Sequence, residues 1–162
     1  MAFGLSVLLG FVVWGVIAAR YIWPALRGRR REEALRPLLL LHAFRFVGLA
    51  FVVPGVVSPD LPAAFARPAA YGDLATCLLA LLGIATLGSR LGTVIVWIFN
   101  SVGTVDLLNA FYRADRAGVG EAPGLQAAAY FIPTVLVPLL LVTHALVFRI
   151  LLKPASVEVR HD

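Results

Sequence analysis

The stretch that decides the fold runs from Ala34 to Ser58 and reads ALRPLLLLHAFRFVGLAFVVPGVVS. It is long and apolar enough to form a helix that crosses the hydrocarbon core of a bilayer, which takes about 20 residues. It also holds His42 and Arg45, which lie about one helical turn apart. A charged side chain at membrane depth costs roughly 2.5–3.5 kcal/mol on insertion scales, so such residues face the protein interior. The stretch therefore predicts a membrane-spanning helix whose polar face is turned toward other helices.

The rest of the chain repeats this pattern of apolar blocks between short polar runs. Of the 162 residues, 60% are hydrophobic and only 14% are charged, which excludes an ordinary soluble domain. We expect an all-α membrane protein with a single transmembrane domain of five helices. The predicted spans are about residues 3–23, 37–57, 69–88, 92–112 and 127–152, followed by a short tail at 153–162.

The positive charges indicate the orientation of the bundle, because cytoplasmic segments of membrane proteins are enriched in lysine and arginine. With the N-terminus outside, ten basic residues lie in the cytosol and three lie outside. The cytosolic set is Arg20, Arg27, Arg29, Arg30, Arg31, Arg36, Arg90, Arg149, Lys153 and Arg160, and the outer set is Arg67, Arg113 and Arg116. We therefore predict an outside N-terminus, a cytosolic C-terminus and a bacterial cytoplasmic (inner) membrane. The formal charge of +5 follows from this sorting and requires no nucleic-acid partner.

Polar residues inside the spans are the candidate site. They form one group at about the depth of Arg45 and a second group nearer the outer face. The first group is His42, Arg45, Asn100 and His144, with Thr143 beside it, and the second is Asp73, Asp106 and Asn109. Because a buried charge is costly unless it is paired, we expect Arg45 to pair with Asp106, Asp73 or both.

Helical spacing predicts which residues of the second span face the protein interior. At 100° per residue, His42, Arg45, Leu49 and Val52 share one face. In the third span, Asp73 lies on a stripe of small residues, which favours close approach of a neighbouring helix. We therefore expect Asp73 to face protein rather than lipid.

Three functions fit these polar residues. The protein is a structural or assembly subunit, or it binds or transports a small or amphipathic ligand through the polar cluster. The alternative is a redox protein that binds a b-type haem through His42 and His144 as axial ligands. The expected partners are the lipid bilayer, a small or amphipathic ligand, and further copies or subunits in a homo-oligomer or larger membrane complex.

An enzymatic role has little support in the sequence. No nucleophile–base pair is recognisable, and spacings typical of metal ligands, such as HxxxH, are missing. The single cysteine, Cys77, falls in the middle of a span, where we expect it to act as a small packing residue. We predict neither catalytic residues nor a metal site.

Overall fold

The structure, a computed structural model, describes residues 1–153. Five of its helices are long and apolar enough to cross a membrane, the number that the sequence predicts. They are α1 (Ala2–Leu26), α2 (Arg31–Val52), α3 (Ala63–Thr86), α4 (Arg90–Arg116) and α5 (Ile132–Leu151). Within the described range no β-strand accompanies them. The predicted tail lies outside the described residues from position 154 onward.

Hydrogen bonds between the connecting segments show which helix ends lie together. At one end, Arg31 Nη2 donates to the carbonyl of Lys153 (2.5 Å), and Lys153 Nζ donates to the carbonyl of Arg27 (2.9 Å). At the other end, the Ser58 amide donates to the carbonyl of Leu125 (3.0 Å). Consecutive helices therefore run antiparallel. We call residues 26–35, 87–93 and 149–153 the basic end, and residues 53–62 and 117–131 the opposite end.

Helix α2 begins at Arg31, six residues before the predicted start. Glu32 and Glu33 occupy its first turn, where negative charge is favoured by the helix dipole. Arg30, just before the helix, pairs with Glu33 across the start of the helix (2.6 Å). Residues 31–36, which were expected to lie between two spans, thus form the first turns of the second, and Pro37 lies inside the helix.

Helix α3 also begins earlier than predicted, at Ala63, and includes Pro68. Proline has no amide hydrogen, so it cannot donate to the carbonyl four residues before it. That carbonyl belongs to Ala64, and Arg113 Nη1 on α4 donates to it instead (3.4 Å). A side chain from the neighbouring helix thus offsets the missing backbone hydrogen bond.

The second half of α2 is a 3-10 helix over Phe44–Val52. A 3-10 helix has three residues per turn, so its buried face repeats every third residue. The buried positions after His42 are accordingly Arg45, Gly48 and Phe51. The prediction that Val52 faces inward is wrong, because Val52 is 37% exposed whereas Phe51 is 4% exposed. Leu49, which was expected on the same face, is only partly buried.

The segment before α5 is not part of that helix, although the predicted span begins at residue 127. Pro123–Tyr130 forms a separate 3-10 segment, and α5 begins at Ile132 with a π-helical turn that runs to Leu136. Inside the 3-10 segment, Ala127 has a φ of 42°. A positive φ is unfavourable for alanine. The surrounding contacts therefore hold this segment in a strained turn.

The packing leaves a polar layer between two apolar clusters. Helix α3 packs against both α2 and α4, and α1 lies at the edge against α5. One cluster, toward the basic end, includes Leu39, Phe99 and Val147. The other, toward the opposite end, includes Phe51 and Leu107. The charged residues of the candidate site lie where these clusters meet.

Candidate functional site

Arg45 lies at the centre of the bundle with its side chain fully buried. Its Nε donates to Oδ1 of Asp73 on α3 (2.7 Å), and its Nη2 donates to Oδ2 of Asp106 on α4 (2.6 Å). Its Nη1 donates to the carbonyl of Gly103 (3.2 Å) and lies 3.3 Å from Nε2 of His144 on α5. One side chain on α2 thus binds three other helices. The predicted pairing of Arg45 is confirmed, and it involves both acids.

Two glycines make room for the carboxylates. A Cβ built on Gly48 would meet Oδ2 of Asp73, and one built on Gly72 would meet Oδ1 of Asp106. These are the carboxylate oxygens that do not bind Arg45. Within residues 1–153 neither of them accepts a hydrogen bond. The centre therefore holds one guanidinium against two carboxylates, and each carboxylate keeps one unused oxygen.

The hydrogen bonds of His144 fix its tautomer. Since a guanidinium only donates, Nε2 of His144 accepts from Arg45 and Nδ1 carries the proton. Nδ1 then donates to Oδ1 of Asn100 (2.7 Å), and Nδ2 of Asn100 donates back to the carbonyl of His144 (3.2 Å). Asn100 on α4 and His144 on α5 thus form a closed pair. The hydrogen-bond network thus continues from Arg45 through the neutral imidazole of His144 toward the basic end.

His42 continues the layer next to His144. The two imidazole rings lie 4.1 Å apart between centroids, and Phe99 packs against both of them. Nε2 of His42 lies 3.0 Å from Oγ1 of Thr143, while its Nδ1 is buried without a hydrogen-bond partner in the described part of the chain. His42 is thus held by ring contacts with His144 and Phe99 and by one hydrogen bond, with one ring nitrogen unused.

A small cavity adjoins the carboxylates on the side of the opposite end. Its volume is about 30 Å³, and Asp73 and Asp106 line it together with mainly apolar and aromatic side chains. Gln126, from the strained 3-10 segment, also lines it and is fully buried. Within the described residues neither Oε1 nor Nε2 of Gln126 has a hydrogen-bond partner. A buried amide costs free energy unless it is hydrogen-bonded. A polar group bound in the cavity would therefore be stabilised by hydrogen bonds to these atoms.

Comparison with known proteins places the chain in a family. The family model described as "Domain of unknown function (DUF8737)" matches residues 2–152, which contain all five helices. The chain belongs to this family. No curated protein and no solved structure matches it. The description of the family names no activity.

The structure joins the two groups of polar residues that the sequence places at different depths. Arg45 connects them, because it contacts both carboxylates and His144. Asn109 is the exception. It is half-buried on α4, and no hydrogen bond links its side chain to the layer within the described range. The connected layer consists of His42, Arg45, Asp73, Asn100, Asp106, Thr143 and His144.

The haem alternative does not fit this geometry. Bonds of about 2 Å from a metal to each imidazole nitrogen would place two opposed ligand nitrogens about 4 Å apart, with the ring centroids farther apart still. The ring centroids of His42 and His144 are themselves only 4.1 Å apart. Nε2 of each ring is already engaged, with Thr143 and Arg45 respectively. The two imidazole rings are in direct contact, which leaves no room for a porphyrin between them.

Two polar contributors are not recognisable in the sequence. Gln126 lies in a stretch, RADRAGVGEAPGLQ, whose composition is typical of an exposed loop. Cys77 is buried as expected, but its Sγ also donates to the carbonyl of Ala43 (3.0 Å), where α2 changes from α-helix to 3-10 helix. Within residues 1–153, no three His, Cys, Asp or Glu side chains are grouped to hold a metal ion.

Proposed function

We propose that the chain is an integral membrane protein, inserted with its N-terminus outside, whose interior binds a small monovalent cation, the proton included. This is the binding or transport function among those that the sequence leaves open. The observation that carries it is the pair of carboxylates, Asp73 and Asp106, that share the single guanidinium of Arg45 beside a cavity.

The charge of the centre supports a bound cation. With both acids ionised, one guanidinium leaves a net charge of −1 among apolar clusters at the middle of the helices. An uncompensated charge in that environment costs several kcal/mol. A proton on one carboxylate, or a small cation beside it, removes the imbalance.

The cavity has the size and lining for such an occupant. A volume of about 30 Å³ accommodates two or three water-sized groups, since about 10–15 Å³ holds one. Gln126 lines the same cavity as the carboxylates, and its Oε1, which has no partner within the described residues, can act as a neutral acceptor. Phe51, Phe65 and Phe111 are part of the wall, and aromatic faces attract cations.

Thermal unfolding of the purified protein in detergent tests this proposal. We expect ammonium chloride to raise the Tm relative to the chloride of the bulky N-methylglucamine cation, because a ligand that binds only the folded state stabilises it. At ten times the Kd the gain is about 1.4 kcal/mol. Asp106→Asn should remove the gain. Asp60→Asn, at an exposed position of the opposite end, should retain it.

Infrared spectra test the case in which the bound cation is a proton. We expect an absorption band of a protonated carboxyl group in the wild type that Asp106→Asn or Asp73→Asn removes. A protein that shows neither this band nor an ammonium-dependent Tm that Asp106→Asn abolishes contradicts the proposal.

The second candidate is a structural role. It is favoured by the contacts that Arg45 on α2 makes with three other helices. The guanidinium on α2 contacts groups of α3, α4 and α5, so the network fixes the helices relative to one another. For a purely structural network, Asp73→Asn and Asp106→Asn should lower the Tm equally in ammonium and in N-methylglucamine. This outcome separates the two candidates.

A further inference from the structure

A groove opens at the basic end, between the starts of α2 and α4 and the end of α5. Its volume is about 470 Å³, within the 300–1,000 Å³ that is typical of small-molecule sites. Its floor is apolar and buried, formed by residues such as Leu35, Val96 and Ile150. Cationic side chains stand along its rim. The groove thus combines an apolar base with positive walls.

Among the residues that line the groove, positive charges outnumber negative ones. Within residues 1–153, Arg29, Arg31, Arg90 and Lys153 form no ion pair with a carboxylate. Three of them donate to backbone carbonyls instead, namely those of residues 25, 153 and 27. Glu32 is the acidic residue that lines the groove. The rim therefore attracts an anion more strongly than a surface of balanced charge does.

The N-termini of two helices add to the positive electrostatic potential of the groove. Helix α2 begins at Arg31 and α4 begins at Arg90, and both first turns line the groove. The start of a helix carries partial positive charge and favours phosphate. This contribution supplements the side-chain charges, since a groove lined by several cations already favours a polyanionic oxygen group.

We propose that this groove binds the phosphate of an anionic phospholipid headgroup. Phosphate accepts several charge-assisted hydrogen bonds at once, which suits a groove lined by several arginines. The lipid supplies the rest of the fit. Leu91 and Leu152, close to the groove along the chain, are 63% and 70% exposed, so an acyl chain has an apolar surface to follow. The proposal is independent of cation binding at Asp73 and Asp106.

Native mass spectrometry of the full chain from phosphatidylcholine nanodiscs, with and without phosphatidylglycerol, tests the proposal. We expect the wild type to retain phosphatidylglycerol in preference to phosphatidylcholine. A basic residue near anionic lipid contributes about 1 kcal/mol, or about fivefold in affinity. The double variant Arg29→Gln/Arg90→Gln should therefore lose about 25-fold in retention. Both side chains are exposed, so the fold should persist.

The matched control removes the same charge from the parts of α3 and α4 that lie next to the opposite end. Arg67→Gln/Arg116→Gln changes two exposed arginines that lie away from the groove, and we expect phosphatidylglycerol retention to change less than twofold. Equal losses in the two double variants would show attraction by net charge alone and would overturn the site. Equal retention of the two lipids by the wild type would overturn it as well.

A second arm distinguishes a lipid headgroup from free phosphate. Inorganic phosphate is added to the wild type in pure phosphatidylcholine nanodiscs and, separately, as a competitor of phosphatidylglycerol. We expect millimolar phosphate to displace little lipid, because it gains nothing from the apolar surface. Full displacement, lost in Arg29→Gln/Arg90→Gln, would make the free anion the ligand and would overturn the lipid assignment.

Discussion

Arg45 makes contacts that a different cation cannot reproduce. Its planar guanidinium directs Nε toward Asp73 and Nη2 toward Asp106, while Nη1 serves Gly103 and His144. A lysine ammonium is a single point charge on a flexible stem and lacks this fork. The positive charge alone therefore does not account for the centre. The geometry of the guanidinium is what allows one residue to hold two acids.

Removal of Arg45 should be costly for that reason. Arg45→Ala leaves two buried carboxylates without a countercharge, and we expect it to lower the free energy of unfolding by about 3–5 kcal/mol. Arg45→Ala/Asp106→Asn should recover part of this loss, since one of the two acids is then neutral. Thermal unfolding in detergent measures both. If neither this variant nor Arg45→Ala/Asp73→Asn is more stable than Arg45→Ala, the acids do not interact with Arg45 as described.

Glycine beside a carboxylate gives a second test at the level of single residues. Gly48→Ala would place a methyl group against Asp73, so we expect a loss of about 1–3 kcal/mol from displacement of the ion pair. Gly15→Ala is the matched control, because no atom lies within 4 Å of its Cβ position and alanine is favoured in a helix. The Tm of each variant checks this. Equal effects at the two positions would mean that Gly48 does not accommodate the carboxylate.

At the scale of the helices, the change of winding in α2 decides which side chains face inward. With three residues per turn from Phe44 onward, Phe51 replaces Val52 on the buried face. We expect Phe51→Ala to destabilise the protein by about 3–5 kcal/mol. Val52→Ala should cost less than about 0.5 kcal/mol. Unfolding curves in detergent compare the two variants. A larger effect at Val52 would indicate that Val52 faces inward, as it would in a regular α-helix.

Helix α2 also shows which structural features the sequence predicts and which it does not. Composition and length predict the five helices, because the apolar content of each segment is a local property. The pairing of Arg45 is predictable as well, since a buried charge requires a partner. The inward face of α2 beyond Arg45 is not, because spacing rules assume one helical period throughout. The change to a 3-10 helix coincides with a contact to Cys77 of α3, which is not a local property.

The loop before α5 shows the same limit. Its composition indicates an exposed connection, yet Gln126 lies fully buried beside the cavity. Only the tertiary fold brings residues 123–130 back over the ends of the helices, and Ala127 takes a positive φ there. Asn109 is the opposite case, a polar span residue that stays apart from the layer. Whether a polar residue joins the site thus depends on the rotation of its helix and on how loops fold back.

For the whole molecule, the distribution of charge separates the two ends of the bundle. Hydrogen bonds bring residues 27, 31 and 153 together at the basic end, and the groove collects further arginines there. Near the opposite end, α3 and α4 carry three arginines, Arg67, Arg113 and Arg116, of which Arg113 donates to the backbone of α3. Since positive residues stay preferentially in the cytoplasm, this asymmetry favours a cytosolic basic end. The groove proposed for the headgroup phosphate lies at this same end.

Reporter fusions in a bacterial host test that orientation. A green fluorescent protein at the C-terminus should fluoresce, and alkaline phosphatase at the same position should be inactive, because both report a cytosolic location. The arginines that follow α1 should be decisive, since charge next to the first span usually sets the topology. Replacing Arg27, Arg29 and Arg31 with glutamine should therefore raise phosphatase activity of the C-terminal fusion. The same change at Arg67, Arg113 and Arg116 should not, because it increases the asymmetry. Phosphatase activity in the C-terminal fusion of the unaltered chain would show that the bundle has the opposite orientation. The groove would then lie at the outer leaflet.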